Sequence, residues 1–327
     1  MNIDQIKEWF AHGDLARLGA EAHQAKQARF GDRVFWIRNV HVNYTNVCGG
    51  GCVVCHFSRP PGDPEGYVLD IDTILERVGQ AVAGGAVEVH MVGGINHDLK
   101  FAYYLDIVCR LRRAFPKLFI KAFTAPEIDW MAEAGDVSVA QVLGQLIEAG
   151  LNSMPGGGAE IFSERVRREL FPKKIPAERW LEIHRTAHQL GSRTNATMLF
   201  GHIETLEERM DHLQRIKDLQ GETNGFSAFV PLPVVGFGPI TGVDGLDAIK
   251  TLALSRLVLD NVEHVKVFWP IWGLKLAQLA LNYGADDVDG TVGEYKIVDR
   301  AGISIEQIQS MIRQAGFTPV ERGGDYS

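Results

Sequence analysis

The sequence predicts an α/β fold, a TIM-like (β/α)8 barrel with an N-terminal helix and a short C-terminal extension. Three observations carry that expectation. Short β-rich runs alternate with helical ones through about eight units. No Ser- or Pro-rich linker divides the 327 residues. A content of 46% hydrophobic and 23% charged residues suits a chain with one large core.

The elements follow in order. Residues 1–32, "MNIDQIKEWFAHGDLARLGAEAHQAKQARF" and its two-residue tail, carry a charge every few positions, which predicts an amphipathic helix and excludes the apolar core of a signal peptide. The first strand is "VFWIRNVHVNY". Then come "IDTILERVGQAVAGG", "VEVHMVGG", "FAYYLDIVCRLRRAF", "LFIKAFTA", "VAQVLGQLIEAG", "LNSMPGGG" as a fourth strand, and "AEIFSERVRREL". A second helix there, "AERWLEIHRTAHQLG", precedes "TNATMLFG", "TLEERMDHLQRIKDLQ", "GFSAFVPL", "LDAIKTLALSRLVLD", "HVKVFWP", "WGLKLAQLALNYG" and "DDVDGT". Thr205 with Glu208 forms a capping box, and Gly191, Gly221 and Gly284 fall where helices should stop. Residues 1–327 therefore form one barrel domain, with 1–32 as an N-terminal segment and 291–327 as a C-terminal extension.

Charge and cysteine usage narrow the function. Lys and Arg number 33 against 41 Asp and Glu, a net −8 with no basic run, which argues against nucleic acid or an anionic membrane as partner. No apolar run reaches membrane-spanning length, so a cytoplasmic protein acting on a small molecule is expected. Four cysteines, three of them crowded between 48 and 55, resemble reduced ligands rather than a disulfide framework.

Strand alternation predicts a polar lumen. In "VEVHMV", Val87, Val89 and Met91 share one face and Glu88 and His90 the other. By the same rule His41, Asn43 and Thr45 point inward together, as do Lys121 with Phe123 and Asn195 with Thr197. Polar inward groups need partners, either one another, buried water or a bound substrate.

Cys48, Cys52 and Cys55 form a CxxxCxxC loop directly after the first strand, at the C-terminal mouth where barrels of this kind place their chemistry. Ferredoxin-type carriers hold a 4Fe-4S cluster with four thiolates, so three leave one iron without a protein ligand. That position can accept the amino and carboxylate groups of S-adenosylmethionine and set its sulfonium beside a one-electron donor. A structural zinc site is the competing reading, but it needs four tetrahedral ligands, and His56 lies too close to Cys55 to complete a relaxed set. Cys109 lies in the helix "FAYYLDIVCRLRRAF", where a buried thiol packing as a small hydrophobe is expected rather than a fourth ligand.

The three-cysteine loop resembles that of the radical S-adenosylmethionine superfamily. Within it the chain is similar, nearly end to end, to the aminofutalosine synthases of the futalosine route to menaquinone. The likeness is carried by "NYTNVC", "HMVGG", "KAFTAPEID", "SMPGGGAEIFSERVRREL", "PKKIPAERWLEIHRTAHQLG", "TNATMLFGHIET", "SRLVLDNVEHVKVFW" and "KLAQLALNYGADDVDGTV". It implies a 4Fe-4S cluster on Cys48, Cys52 and Cys55, with S-adenosylmethionine as cosubstrate and a flavodoxin or ferredoxin as electron donor. It also implies addition of the 5′-deoxyadenosyl radical to 3-[(1-carboxyvinyl)oxy]benzoate, with aryl migration and loss of carboxylate. The dehypoxanthine futalosine cyclases and the paired synthases of the deazaflavin cofactor are close relatives; "KAFTAPEID" and Asn195 look more like the synthase. A dehypoxanthine futalosine cyclase, a divergent radical enzyme acting on another aryl or enol-ether compound, and a noncatalytic iron-sulfur carrier or sensor remain the alternatives, the polar lumen counting against the last.

The resemblance suggests roles residue by residue. Gly93 and Gly94 approach the cosubstrate's amino group. The glycines of "PGGGAE" expose backbone donors at a helix start, and Glu160 receives the ammonium or ribose hydroxyls, with Asn195 also on the cofactor side. His202 and Glu204 follow the fifth strand and are expected to hold substrate or handle a proton, or else to cap the helix that follows. Lys121 and, from the surface, Arg59 are candidates for the substrate's carboxylates. Asp286, Asp287 and Asp289 suggest a hydrogen-bonded turn at the mouth rather than a metal site. Val54 stands where the superfamily carries an aromatic residue beside the adenine, which leaves Phe57 to cover the base. His56 replaces a small residue, "PLPVVGFGPITG" replaces a His/Gln-Pro-Glu-Asn-Thr-like stretch, and "GEYKI" departs from a paired Glu.

Overall fold

In the computed structural model, residues 3–237, 240–291, 294–295, 297 and 300–327 are described. Of the departures just named, Gly238, Pro239, Gly293 and Lys296 lie outside these residues.

Seven parallel strands make most of a ring: β1 (Arg33–Val42), β2 (Glu88–Met91), β3 (Phe119–Ala122), β4 (Thr194–Phe200), β5 (Phe226–Pro233), then, after the hairpin β6 (Val235–Phe237) with β7 (Ile240–Gly242), β8 (His264–Val267) and β9 (Asp287–Thr291). Their order around the barrel is β3-β2-β1-β9-β8-β5-β4. The eighth stave is "LNSMPGGG", and it is reduced to two parallel bridges, Lys121 with Ser153 and Met154 with Thr194. Backbone bonds from Ala122 N to Ser153 O and from Asn195 N to Met154 O close the ring there. The predicted fourth strand fails to lengthen because Pro155 and three glycines follow at once, lacking a donor and side chains to pack.

The outer faces of the strands meet the helices: Val89, Met91, Ile120, Val265 and Val267 are fully buried. The N-terminal segment is two helices rather than one, Ile3–Ala11 and Leu15–Phe30, parted where Asp14 accepts from Arg17 N at 3.0 Å and starts the second. The capping box of Thr205 and Glu208 is present. Gly191 and Gly284 close helices in the left-handed region, but Gly221 lies inside the helix Leu206–Thr223, and Asn224 at φ 49° ends it instead.

Two further expectations are corrected. Strand β3 stops at Ala122, and Phe123, at φ 63°, turns out of the inward alternation into an edge-on cluster with Tyr44 and Tyr104. Cys109 is exposed on the helix Phe101–Ala114, not packed in its core. The C-terminal extension packs onto the barrel. Past the pair β10 (Glu294–Tyr295) and β11 (Arg300–Ala301), β12 (Thr318–Glu321) adds in parallel to the N-terminal half of β1, Arg33 opposite Thr318. Arg322 then turns under the barrel and clamps Asp287 through both oxygens, at 2.8 and 2.6 Å.

Candidate active site

Beyond Val42 the chain leaves the barrel and becomes the cysteine loop, held by backbone and amide bonds rather than by core. Asn43 donates to Val92 O at 3.0 Å and Thr45 to Tyr67 O at 2.7 Å, so these two residues brace the loop instead of entering the lumen as alternation predicted. Cys48 N donates to Arg59 O and Gly49 N to Ile95 O. Arg59 itself is occupied by Glu65 at 2.8 Å and stays at the surface. Gly94 explains itself here: a Cβ on it would lie 2.2 Å from Val47 O and 2.8 Å from the Cys48 Cβ. Its freedom serves the approach of two backbones, and it does not line the cavity described below.

The Cys48 sulfur accepts N–H groups from Gly50 and Ile95, both at 3.3 Å. All three loop cysteines are half-buried. Burial pushes the Cys52 thiol up to about 11, against the pull of Lys174, and a coordinated cation would favour its thiolate. Among the described residues no three His, Cys, Asp or Glu side chains form a group that could hold one metal ion. A cubane asks for something else, one thiolate at each of three separate irons, and the donor set offered by this loop fits that demand.

Behind the loop lies a cavity of about 350 Å³. Cys52, Cys55, His56 and Phe57 line its outer end, together with Val54, which packs with Ile161, Phe171 and Val234 in an apolar wall. His41, His90, Lys266 and Asp289 line its inner end. Gly93, Glu160, Asn195 and Thr197 lie on its sides. Phe57, Gly93, Glu160 and Asn195, all predicted at the cofactor, therefore share one space with two of the cysteines. Gly93 is held by its N–H donating to Glu127 at 3.1 Å, and Glu127 also accepts from Thr124, which is how "KAFTAPEID" supports the site. Asn195 is buried and its Oδ1 has no partner.

Glu160 sits at φ 46°, a left-handed position for a side-chain-bearing residue, just past Gly156, whose Cβ would lie 2.7 Å from the β4 backbone. The glycines are thus a close crossing of chains and not a helix start; the helix Glu164–Leu170 begins later, capped by Ser163. Glu160 meets Lys174 at 2.7 Å. Burial works against both charges, yet the pair outweighs it, holding the carboxyl below and the ammonium above their usual ranges, with Cys52 and Cys55 adding to the latter.

The three predicted catalytic side chains do not reach the cavity. Lys121 is 1% exposed and committed to Glu88 at 2.8 Å. Burial disfavours the Glu88 charge, but Lys121, Lys266 and Arg322 outweigh it and hold the carboxyl at about 2. His202 Nδ1 faces Glu204 at 2.7 Å while Nε2 faces Leu199 O at 3.1 Å. Glu204 accepts in addition from Gly201 N, His202 N and Arg209. Both side chains are at most 1% exposed, so they knot the turn after β4 and have no face toward a ligand. The three aspartates are neither a turn nor a metal site. Asp286 pairs with Arg256 and His264, Asp287 with Arg322 and Asp289 with Lys266 at 3.1 Å, the last two on β9 itself.

Sequence reasoning did not select Lys174 or Lys266 as site residues. Lys174 left no pattern, lying in the irregular "FPKKIP" between two helices. Lys266 left one: in "HVKV" it is the polar residue between two valines, and it points inward by the same alternation that marked Glu88 and His90.

Comparison with known proteins bears on this geometry. Residues 42–216 match the model of the radical SAM superfamily, and residues 223–327 that of the CofH/MqnC C-terminal region. The chain is 42% identical to an aminodeoxyfutalosine synthase of Thermus thermophilus, over 96% of its own length and 88% of that protein's. It is 36% identical to a 5-amino-6-(D-ribitylamino)uracil–L-tyrosine 4-hydroxyphenyl transferase of Methanopyrus kandleri, over 94% and 88%. With a cyclic dehypoxanthine futalosine synthase of Halalkalibacterium halodurans it shares 34% identity, over 100% and 90%. The crystal structure of methylornithine synthase superposes with a TM-score of 0.77 at 16% identity, covering 98% of this chain and 94% of that one, a likeness of fold.

Proposed function

The chain belongs to the radical S-adenosylmethionine superfamily, and we propose that within it this enzyme is an aminofutalosine synthase. Its cofactors are a 4Fe-4S cluster and S-adenosylmethionine. When bound, the cluster supplies the electron that splits the cosubstrate into methionine and a 5′-deoxyadenosyl radical.

Everything else is work for this chain's own residues. Cys48, Cys52 and Cys55 hold the cluster. The Gly93 backbone, Glu160 and Asn195 orient the cosubstrate along the sides of the cavity, and Phe57 covers its adenine in place of an aromatic residue at Val54. Lys174 keeps Glu160 ionised and in place. The apolar wall around Phe171 excludes water from a reactive carbon radical. The acceptor is 3-[(1-carboxyvinyl)oxy]benzoate, to whose enol-ether carbon the adenosyl carbon is joined before aryl migration and loss of carboxylate. An external flavodoxin or ferredoxin delivers the electron. Among the described residues no helix is long and apolar enough to cross a membrane.

The single observation that carries the reading is the shared cavity: two of the three loop thiols open onto the same 350 Å³ space as the unpartnered Asn195 and the inner imidazoles. Mass spectrometry of the anaerobically reconstituted, reduced protein with S-adenosylmethionine tests it. Aminofutalosine is expected from the benzoate vinyl ether and no cyclised product from dehypoxanthine futalosine. Cleavage to 5′-deoxyadenosine without aminofutalosine would discard this substrate.

A further inference from the structure

We propose that the inner end of the cavity is a carboxylate seat, where Lys266 and His41 hold the acid group on the substrate's aromatic ring and so aim its reacting end back at the cysteine loop. This rests on the synthase reading, which supplies the benzoate.

His41 and Lys266 have donor capacity that the protein leaves unused. The His41 Nε2 is buried with no hydrogen-bond partner, and its nearest acidic neighbour, Asp289 Oδ2, is 3.8 Å away, beyond hydrogen-bond reach. A buried imidazole nitrogen left unpaired is costly, and a ligand oxygen removes that cost. Lys266 has three donors. Asp289 lies 3.1 Å from its ammonium, while Asp287, at 3.9 Å, is already held by Arg322 through both oxygens. Donors of Lys266 therefore remain for the cavity that it lines.

Charge and shape select the ligand class. At the floor Lys121 answers Glu88, Arg322 answers Asp287 and Lys266 answers Asp289. Burial, with His41 and Lys121 nearby, pushes His90 well below the usual imidazole range, so the ring stacked on His41 at 4.6 Å is uncharged. With the fixed charges balanced, the seat suits one carboxylate better than a doubly charged phosphate. Around His41 the walls are aromatic: Tyr295 stands edge-on at 4.8 Å and Phe268 lies tilted at 5.6 Å, the two rings themselves 4.9 Å apart. A flat ring fits against such edges. His41 is next to last on β1 and the cysteines follow in the loop beyond it, so a ring seated by its acid group directs a meta substituent outward to the thiol end.

The test uses reconstituted holoenzyme and two readouts. Steady-state kinetics compares the vinyl ether with its ring methyl ester, and calorimetry compares 3-methoxybenzoate with 3-methoxybenzamide. The variants are His41→Gln and the paired Lys266→Met with Asp289→Asn, which keeps the floor neutral if Lys266→Met alone does not fold. Wild type should favour acid over ester by about 10- to 100-fold. In the variants that ratio should fall towards one, chiefly through a rise in KM for the acid. Variants that keep the wild-type acid preference, or a wild type with none in either assay, would overturn the seat. If wild type forms no aminofutalosine yet binds 3-methoxybenzoate selectively, and the variants do not, the seat stands and the substrate reading falls.

Discussion

The floor and the mouth of this barrel both carry polar residues and use them in opposite ways. At the floor, charge meets charge: Glu88 with Lys121, Asp287 with Arg322, Asp286 with Arg256. At the mouth, Cys52 and Cys55 are half-buried, and the unsatisfied Nε2 of His41 and Oδ1 of Asn195 belong to residues lining the same cavity. Lys121 and Lys266 make the contrast sharpest. Both are inward lysines, 1% and 3% exposed, each against a carboxylate, yet only the second lines the cavity. What separates a residue of the fold from a residue of the site here is capacity left open to the cavity, not residue type.

The contrast can be broken from either end, and the largest effect belongs to the mouth. Cys52→Ala should reduce formation of 5′-deoxyadenosine to background, because the remaining two thiolates hold a cluster poorly; mass spectrometry checks it, and the thermal midpoint of the apoprotein should hardly move. The floor should respond in reverse. Glu88→Gln leaves the Lys121 charge buried without its partner and should cost about 3–5 kcal/mol, lowering the thermal midpoint by roughly 10 °C. Wild-type-like melting of that variant would mean that the floor pairing is dispensable.

The turn after β4 gives a smaller effect with a defined pH window. Burial disfavours the Glu204 charge, but His202 and Arg209 outweigh it and hold the carboxyl at about 2, below its ordinary 4.5. A lowered folded value means stability that is present above about 4.5 and lost as pH falls toward 2. Between neutral pH and pH 3 wild type should therefore lose about 1–2 kcal/mol more than Glu204→Gln in denaturant unfolding. The variant should keep most of its kcat, since neither His202 nor Glu204 lines the cavity. Smallest of all, Cys109→Ser on its exposed helix face should change stability by less than about 0.5 kcal/mol and leave iron content unchanged.

The same distinction explains what the sequence made legible. Periodicity exposed the barrel, because strand faces and helix stripes are local patterns, and it correctly turned Glu88, His90, Asn195 and Thr197 inward. The cysteine loop was legible for the same reason, its three thiols falling within eight residues. Pairing was not, since partners lie far apart in the chain: Glu88 and Lys121 are 33 positions apart, Glu160 and Lys174 are 14 apart, and Asp287 and Arg322 are 35. Without those pairings, Lys121 looked as available as Lys266, which was passed over. The fourth strand and Phe123 were misjudged for another reason, backbone turns at Pro155 and at a positive φ that interrupt a pattern alternation assumes to continue.

The account depends most on a cluster bound at three corners with the fourth left for the cosubstrate. Mössbauer spectroscopy of protein reconstituted with 57Fe and titrated with S-adenosylmethionine measures that directly. One iron of the cubane should change its isomer shift on addition while the other three stay as they were. Four irons alike, and unmoved at saturating cosubstrate, would contradict it.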